Sequence, residues 1–140
     1  MYKKATLTEI LESISDNESL EILTEIAKGN MNSHDLKRKD GISRKQFYVR
    51  TKRFVDLGVI NRSKGKLSIT NFGLVVYHAY QIMEDAVKKF WKLKAIDSIQ
   101  ASGQIKDEQK LKLIKTILDN QMIENILIKK PEINPISNRS

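Results

Sequence analysis

The side chains with the clearest chemical capacity lie between Ile42 and Gly73, ISRKQFYVRTKRFVDLGVINRSKGKLSITNFG, where Arg44, Lys45, Arg50, Lys52, Arg53, Arg62, Lys64 and Lys66 stand against Asp56 alone. Ammonium and guanidinium groups at this density neutralise phosphates, and Lys or Arg can also donate to the O6 and N7 acceptors of a guanine edge. Tyr48 and Val49 are set among them, the latter able to pack on a thymine methyl. This is binding chemistry. The residues that catalysis would need do not converge. His34 and His78, the two histidines, fall on different elements with no third ligand at metal spacing. Glu84 and Asp85 are adjacent, so on a helix they diverge by about 100°. No serine has a G-x-S-x-G or S-x-x-K setting, and no glycine loop could cradle a phosphate. Neither an enzyme nor a cofactor or metal is expected, and with no cysteine, thiol chemistry is excluded.

The elements that must carry these side chains are legible. Ser43 can accept from the free N–H groups of the following turn, and Gly58 can take the left-handed conformation that ends a helix, so a helix is predicted from Arg44 to Leu57. Phe47, Thr51, Phe54 and Leu57 recur on it at steps of three and four residues and form an apolar stripe. Lys45, Tyr48, Val49, Lys52 and Asp56 project from the opposite side. Val59 and Ile60 open a strand, Lys64-Gly65 makes a turn flanked by Arg62 and Lys66, and Leu67 and Ile69 alternate with Ser68 in the return strand. Thr70 caps the next helix.

Serine-capped basic helix, Leu57-Gly58-Val59-Ile60, then Leu67-Ser68-Ile69-Thr70 and Gly73: this order resembles the archaeal winged helix-turn-helix transcriptional regulators, related in pattern to the MarR and ArsR types. It is similar to their serine-capped recognition helix, their "L-x-x-x-G-L-I" helix end and their "Y-x-L-T-x-x-G" exit from the wing. The resemblance covers about residues 18–81. Thr51 stands where an aliphatic residue is usual and Leu67 where Tyr is common. It implies that Arg44, Lys45, Tyr48, Val49 and Lys52 enter the major groove, that Ser43 belongs to the same DNA-binding set, that Arg53, with Arg50, flanks the helix on the DNA backbone, and that Arg62, Lys64 and Lys66 reach phosphate or the adjacent minor groove.

Charge placement agrees with that layout. The 140 residues carry a formal net charge of +8, and the eight basic residues against one acid between Arg44 and Lys66 give +7 there. Residues 1–33 hold three Lys against six acids, a balance of −3. A surface that binds polyanions has this footprint. No apolar run approaches a membrane span and the N-terminus lacks a signal-peptide core, so a cytoplasmic protein without a membrane partner is expected.

Upstream, Thr6-Leu7-Thr8-Glu9 opens a short amphipathic segment to about Ile14, and Ser15-Asp16-Asn17-Glu18 fits a capping box for a helix running to Gly29. Residues 30–33 read as a loop and His34–Lys39 as the short first helix of the helix-turn-helix pair. Downstream, the pattern is helical without interruption from Asn71 to about Gln100. Ile82, Val87, Phe90, Trp91, Ile96 and Ile99 lie on a stripe too long for so small a body to cover, which predicts a homodimer through this region. Helices over about 107–118 and from Met122 to Ile128 could fold back within one chain or cross to its partner. Tyr77, Tyr80, Phe90 and Trp91 could line an effector pocket, although aromatics at helical spacing are ordinarily core, and no residue pattern supports a small-molecule effector.

The expectation is therefore a mainly α fold with a small two-stranded antiparallel wing, a winged helix-turn-helix followed by a C-terminal helical dimerisation region. The domains are 1–81, 82–130 and a flexible tail 131–140. The expected activity is sequence-specific binding of double-stranded DNA by a homodimeric transcriptional regulator. The alternative is a winged helix used as a protein-interaction module of transcription or chromatin machinery, which has no need of cations concentrated on helix and wing.

Overall fold

The computed structural model describes residues 3–29, 31–32, 43–104 and 106–128, and the expected helix over residues 34–39 lies outside them. The chain divides into two compact units between Tyr80 and Gln81. The fold is mainly helical with a small antiparallel sheet, compatible with a winged helix. Among the described residues no helix is long and apolar enough to cross a membrane.

In the first unit, helix α1 (Leu7–Ser13) starts in a reciprocal cap: Thr6 Oγ1 accepts from the Glu9 N–H at 3.2 Å, and Glu9 Oε1 accepts from the Thr6 N–H at 3.0 Å. Helix α2 (Asn17–Lys28) is capped by Asp16, which accepts from the Ser19 N–H at 2.8 Å, so the cap is one residue later than the Ser15-to-Glu18 spacing predicts. The carboxylate wins because it takes both the amide and the Ser19 hydroxyl, the latter at 2.9 Å. Strand β1 (Met31–Asn32) falls where a loop is expected, and pairs antiparallel with β3 (Lys66–Ile69), which pairs in turn with β2 (Ile60–Ser63). The sheet thus has three strands, ordered β1-β3-β2, where two are predicted. Two residues are too few for alternation to register in a sequence, and their pairing is set by β3 rather than by themselves.

Helix α3 (Arg44–Asp56) begins at Ser43, whose hydroxyl accepts from the Gln46 N–H at 3.2 Å, and ends as Gly58 turns left-handed at φ 78°. Phe47, Thr51 and Phe54 are buried on it, as the stripe predicts. Phe47 and Phe54 pack with Ile10 and Ile14 of the α1 end, Ile22, Leu23 and Ile26 of α2, Val59, and Ile60 and Leu67 of the sheet. Lys64 and Gly65, at φ 53° and 78°, join β2 to β3 with both residues left-handed, the turn that matches hairpin twist. Helix α4 (Asn71–Lys88) starts at Thr70, whose hydroxyl accepts from the Gly73 N–H at 2.9 Å and donates to the Gly58 carbonyl at 2.6 Å.

The predicted unbroken helix from Asn71 to Gln100 is two helices. Lys89, at φ −101° and ψ 18°, separates α4 from α5 (Phe90–Ser102). Backbone bonds continue across it, from the Lys89 N–H to the Asp85 carbonyl at 3.0 Å and from the Leu93 N–H to the Lys89 carbonyl at 2.9 Å. No proline or glycine stands at the break; Ala86 before it and Leu93 and Ile96 after it pack on one small core. Helices α6 (Asp107–Leu118) and α7 (Gln121–Ile128) complete that core with Ile114, Leu118 and Ile123. Asn120 caps α7, accepting from the Ile123 N–H at 3.0 Å while donating to the Asp85 carboxylate at 3.1 Å. In the single chain these helices fold back on α5.

Candidate nucleic-acid interface

The outward face of α3 carries Lys45, Tyr48, Val49 and Lys52, all exposed, with Tyr48 at 49% and Val49 at 55%. Arg44 is exposed at the helix start, and Lys64 and Lys66 are exposed at the hairpin. Arg44, Lys45, Lys64 and Lys66 have no acidic partner among the described residues. They are the cations available to an incoming anion. Lys52 is engaged by Asp56 one turn on, at 3.0 Å, and that hydrogen bond raises its pKa. Ser43 is taken up with capping the helix.

The flanking arginines do something else. Arg50 reaches Asp16 at 3.3 Å and Glu18 at 3.2 Å with its side chain only 22% exposed, and Arg53 reaches Glu12 at 3.2 Å. They tie α3 to the acidic ends of α1 and α2, so the negative N-terminal segment is where this helix is anchored. Asp16 feels both sides of this: partial burial works against its charge, but the Ser19 amide and hydroxyl together with Arg50 outweigh it and hold the carboxyl below its usual range. The expected backbone contacts of Arg53 and Arg50 have therefore to compete with acids of the same chain.

Arg62 departs furthest from expectation. It follows Ile60 by two residues on β2, so the pleat turns it to the same side as the buried Ile60, and it pairs across with buried Leu67. Its Nη2 donates to Thr51 Oγ1 at 2.8 Å, and its guanidinium carbon lies 5.6 Å from the centre of the Tyr48 ring. Arg62, exposed on β2, thus leans onto α3. Thr51 is fully buried and donates to the Phe47 carbonyl at 2.9 Å, and Arg62 takes up the acceptor capacity left to that hydroxyl. The sequence signal was present in the alternation Ile60, Arg62 and in the threonine at a core position.

Of the residues expected in a dimer interface, Val87, Phe90 and Trp91 are exposed, at 75%, 48% and 79%, and Ile82 and Ile99 are half-buried. Ile96 is a correction. At 3% exposure it belongs to the chain's own core with Ile114, Leu118 and Ile123 and has no surface to offer a second copy. Of the four aromatics, Tyr77 and Tyr80 pack on the core of the first unit, while Phe90 and Trp91 stand edge to face, 5.2 Å apart, on the second. The second unit has instead an open cavity of about 560 Å³ lined by Gln100, Lys110, Leu111, Ile114 and Leu127. No family model, curated protein or solved structure matches the chain.

Proposed function

We propose that this chain is a winged helix-turn-helix regulator that binds double-stranded DNA sequence-specifically as a homodimer. The observation that carries the reading is the sorting of its cations. Arg50, half-buried, and Arg53 are paired with acids of the same chain, whereas Arg44, Lys45, Lys64 and Lys66 stand exposed with no acidic partner among the described residues. A surface of free cations around half-exposed side chains with hydrogen-bonding and methyl-packing capacity fits a major groove and its phosphates. Ser43 joins them at the helix start, where its amide neighbours favour an anion. Dimerisation belongs, in this reading, to the outward side of α4 and α5, where Met83, Val87, Phe90 and Trp91 leave apolar surface uncovered.

The test is selection of bound sequences from a random duplex pool, repeated with variants. A defined motif is expected for the unmodified chain. Lys45→Ala and Tyr48→Ala should each cost about 1–3 kcal/mol on that motif and relax base preference, while Lys64→Ala should weaken all sequences alike. If no duplex is retained at low salt, the protein-interaction reading takes its place.

A further inference from the structure

We infer that Arg62 is a positioning residue for Tyr48, so that this wing arginine governs base discrimination on the helix rather than phosphate affinity at the hairpin. The inference rests on the DNA-binding reading above and assigns one of its residues a different role from the one its place in the wing implies.

Tyr48 and Thr51 are three residues apart on α3 and therefore neighbours on its surface. One guanidinium can meet both. The Thr51 hydroxyl sends its proton to the Phe47 carbonyl at 2.9 Å, which leaves its oxygen an acceptor toward β2, and Arg62 Nη2 fills it at 2.8 Å. That bond anchors one end of the guanidinium, whose carbon lies 5.6 Å from the centre of the Tyr48 ring. Tyr48, half-exposed, would otherwise move among rotamers; backed by Arg62, it has less freedom to lose when a base edge arrives. A planar fork with several donors suits this double duty, and a lysine ammonium does not. With Arg62 committed to the helix, Lys64 and Lys66 are left as the hairpin's contacts to phosphate.

The experiment uses the full chain, unmodified and as Arg62→Lys, Thr51→Val, Tyr48→Ala and the double variant Arg62→Lys with Tyr48→Ala. Each is checked for an unchanged unfolding midpoint, then measured on the selected duplex and its single-base variants across a salt series. Arg62→Lys is expected to keep the salt slope while flattening the preference at one base position by roughly tenfold, and to add nothing in the Tyr48→Ala background. Thr51→Val, which keeps the charge but removes the acceptor, should flatten the same position; it decides the matter if Arg62→Lys does not fold. Unaltered base preference in both variants, additive losses in the double variant, or equal weakening of every sequence overturns the positioning role while leaving DNA binding intact. Absence of any duplex binding by the unmodified chain overturns the functional reading, and this inference with it.

Discussion

Gly73 lies against the backbone of Val59 so closely that a methyl group in place of its hydrogen would collide with the Val59 carbonyl oxygen and come within 2.8 Å of Ile69 Cγ1. That carbonyl also accepts from the Thr70 N–H and hydroxyl, both at 3.0 Å. The end of α3, the end of β3 and the start of α4 are therefore joined at one point. Gly73→Ala should cost roughly 1–3 kcal/mol despite alanine's better helix propensity, because neither a backbone carbonyl nor a strand can yield cheaply. The denaturant midpoint measures it, and an unchanged or raised midpoint would refute the crowding argument.

Salt should weaken DNA binding in a countable way. The proposed phosphate contacts Arg44, Lys45, Lys64 and Lys66, four per chain and each without an acidic partner among the described residues, would give eight in a dimer. Counterion release then predicts a slope of log affinity against log salt of about −7. A slope much steeper would mean that Arg50 and Arg53 leave Asp16, Glu18 and Glu12 for phosphate, and one near zero would remove nucleic acid from the account.

Trp91→Glu and Ile96→Asp separate interface from core. Trp91 is 79% exposed, so its replacement should leave the chain folded and convert a dimer to a monomer in sedimentation. Ile96 is 3% exposed, and a charge there should unfold the second unit, costing on the order of 3 kcal/mol or more. The exposed Lys88, Lys92 and Lys94 border the same face, and two copies would bring like charges together. Dimerisation should therefore strengthen with added salt while DNA binding weakens. A monomer at tens of micromolar for the unmodified chain would leave the Trp91 face unexplained by self-association.

Acid should loosen the anchoring of α3. The Asp16 carboxyl sits below its ordinary range when folded, so its contribution is fully present above the unfolded value of about 4 and is lost as pH falls through the folded value. Glu9, held low chiefly by the Thr6 backbone N–H, adds to the same slope. Between about pH 5 and pH 2 the stability of the unmodified chain should fall, and more gently in Asp16→Asn. Identical acid profiles for the two proteins would show that the Asp16 contacts with Ser19 and Arg50 do not persist in solution.

What the sequence determined by itself was local. Thr6 with Glu9, Ser43 and Gly58 set helix ends because a cap needs only the right side chain within a turn, and Lys64-Gly65 set the hairpin because two left-handed residues are tolerated there. The stripe of Phe47, Thr51 and Phe54 marked the buried face, since helical period alone separates inside from outside.

Tertiary structure decided what depends on partners distant in sequence. Met31 and Asn32 became a strand because β3 offered an edge. The apolar stripe after Asn71 was divided between two packings, Ile96 turning into a core built with α6 and α7 while Trp91 stayed outside, and no period distinguishes those fates. Most of all, a run of like charges reads as one surface until its neighbours are known. Arg50 and Arg53 found acids 32 or more residues away, Arg62 found a threonine and a tyrosine of α3, and Arg44, Lys45, Lys64 and Lys66 have no acidic partner among the described residues.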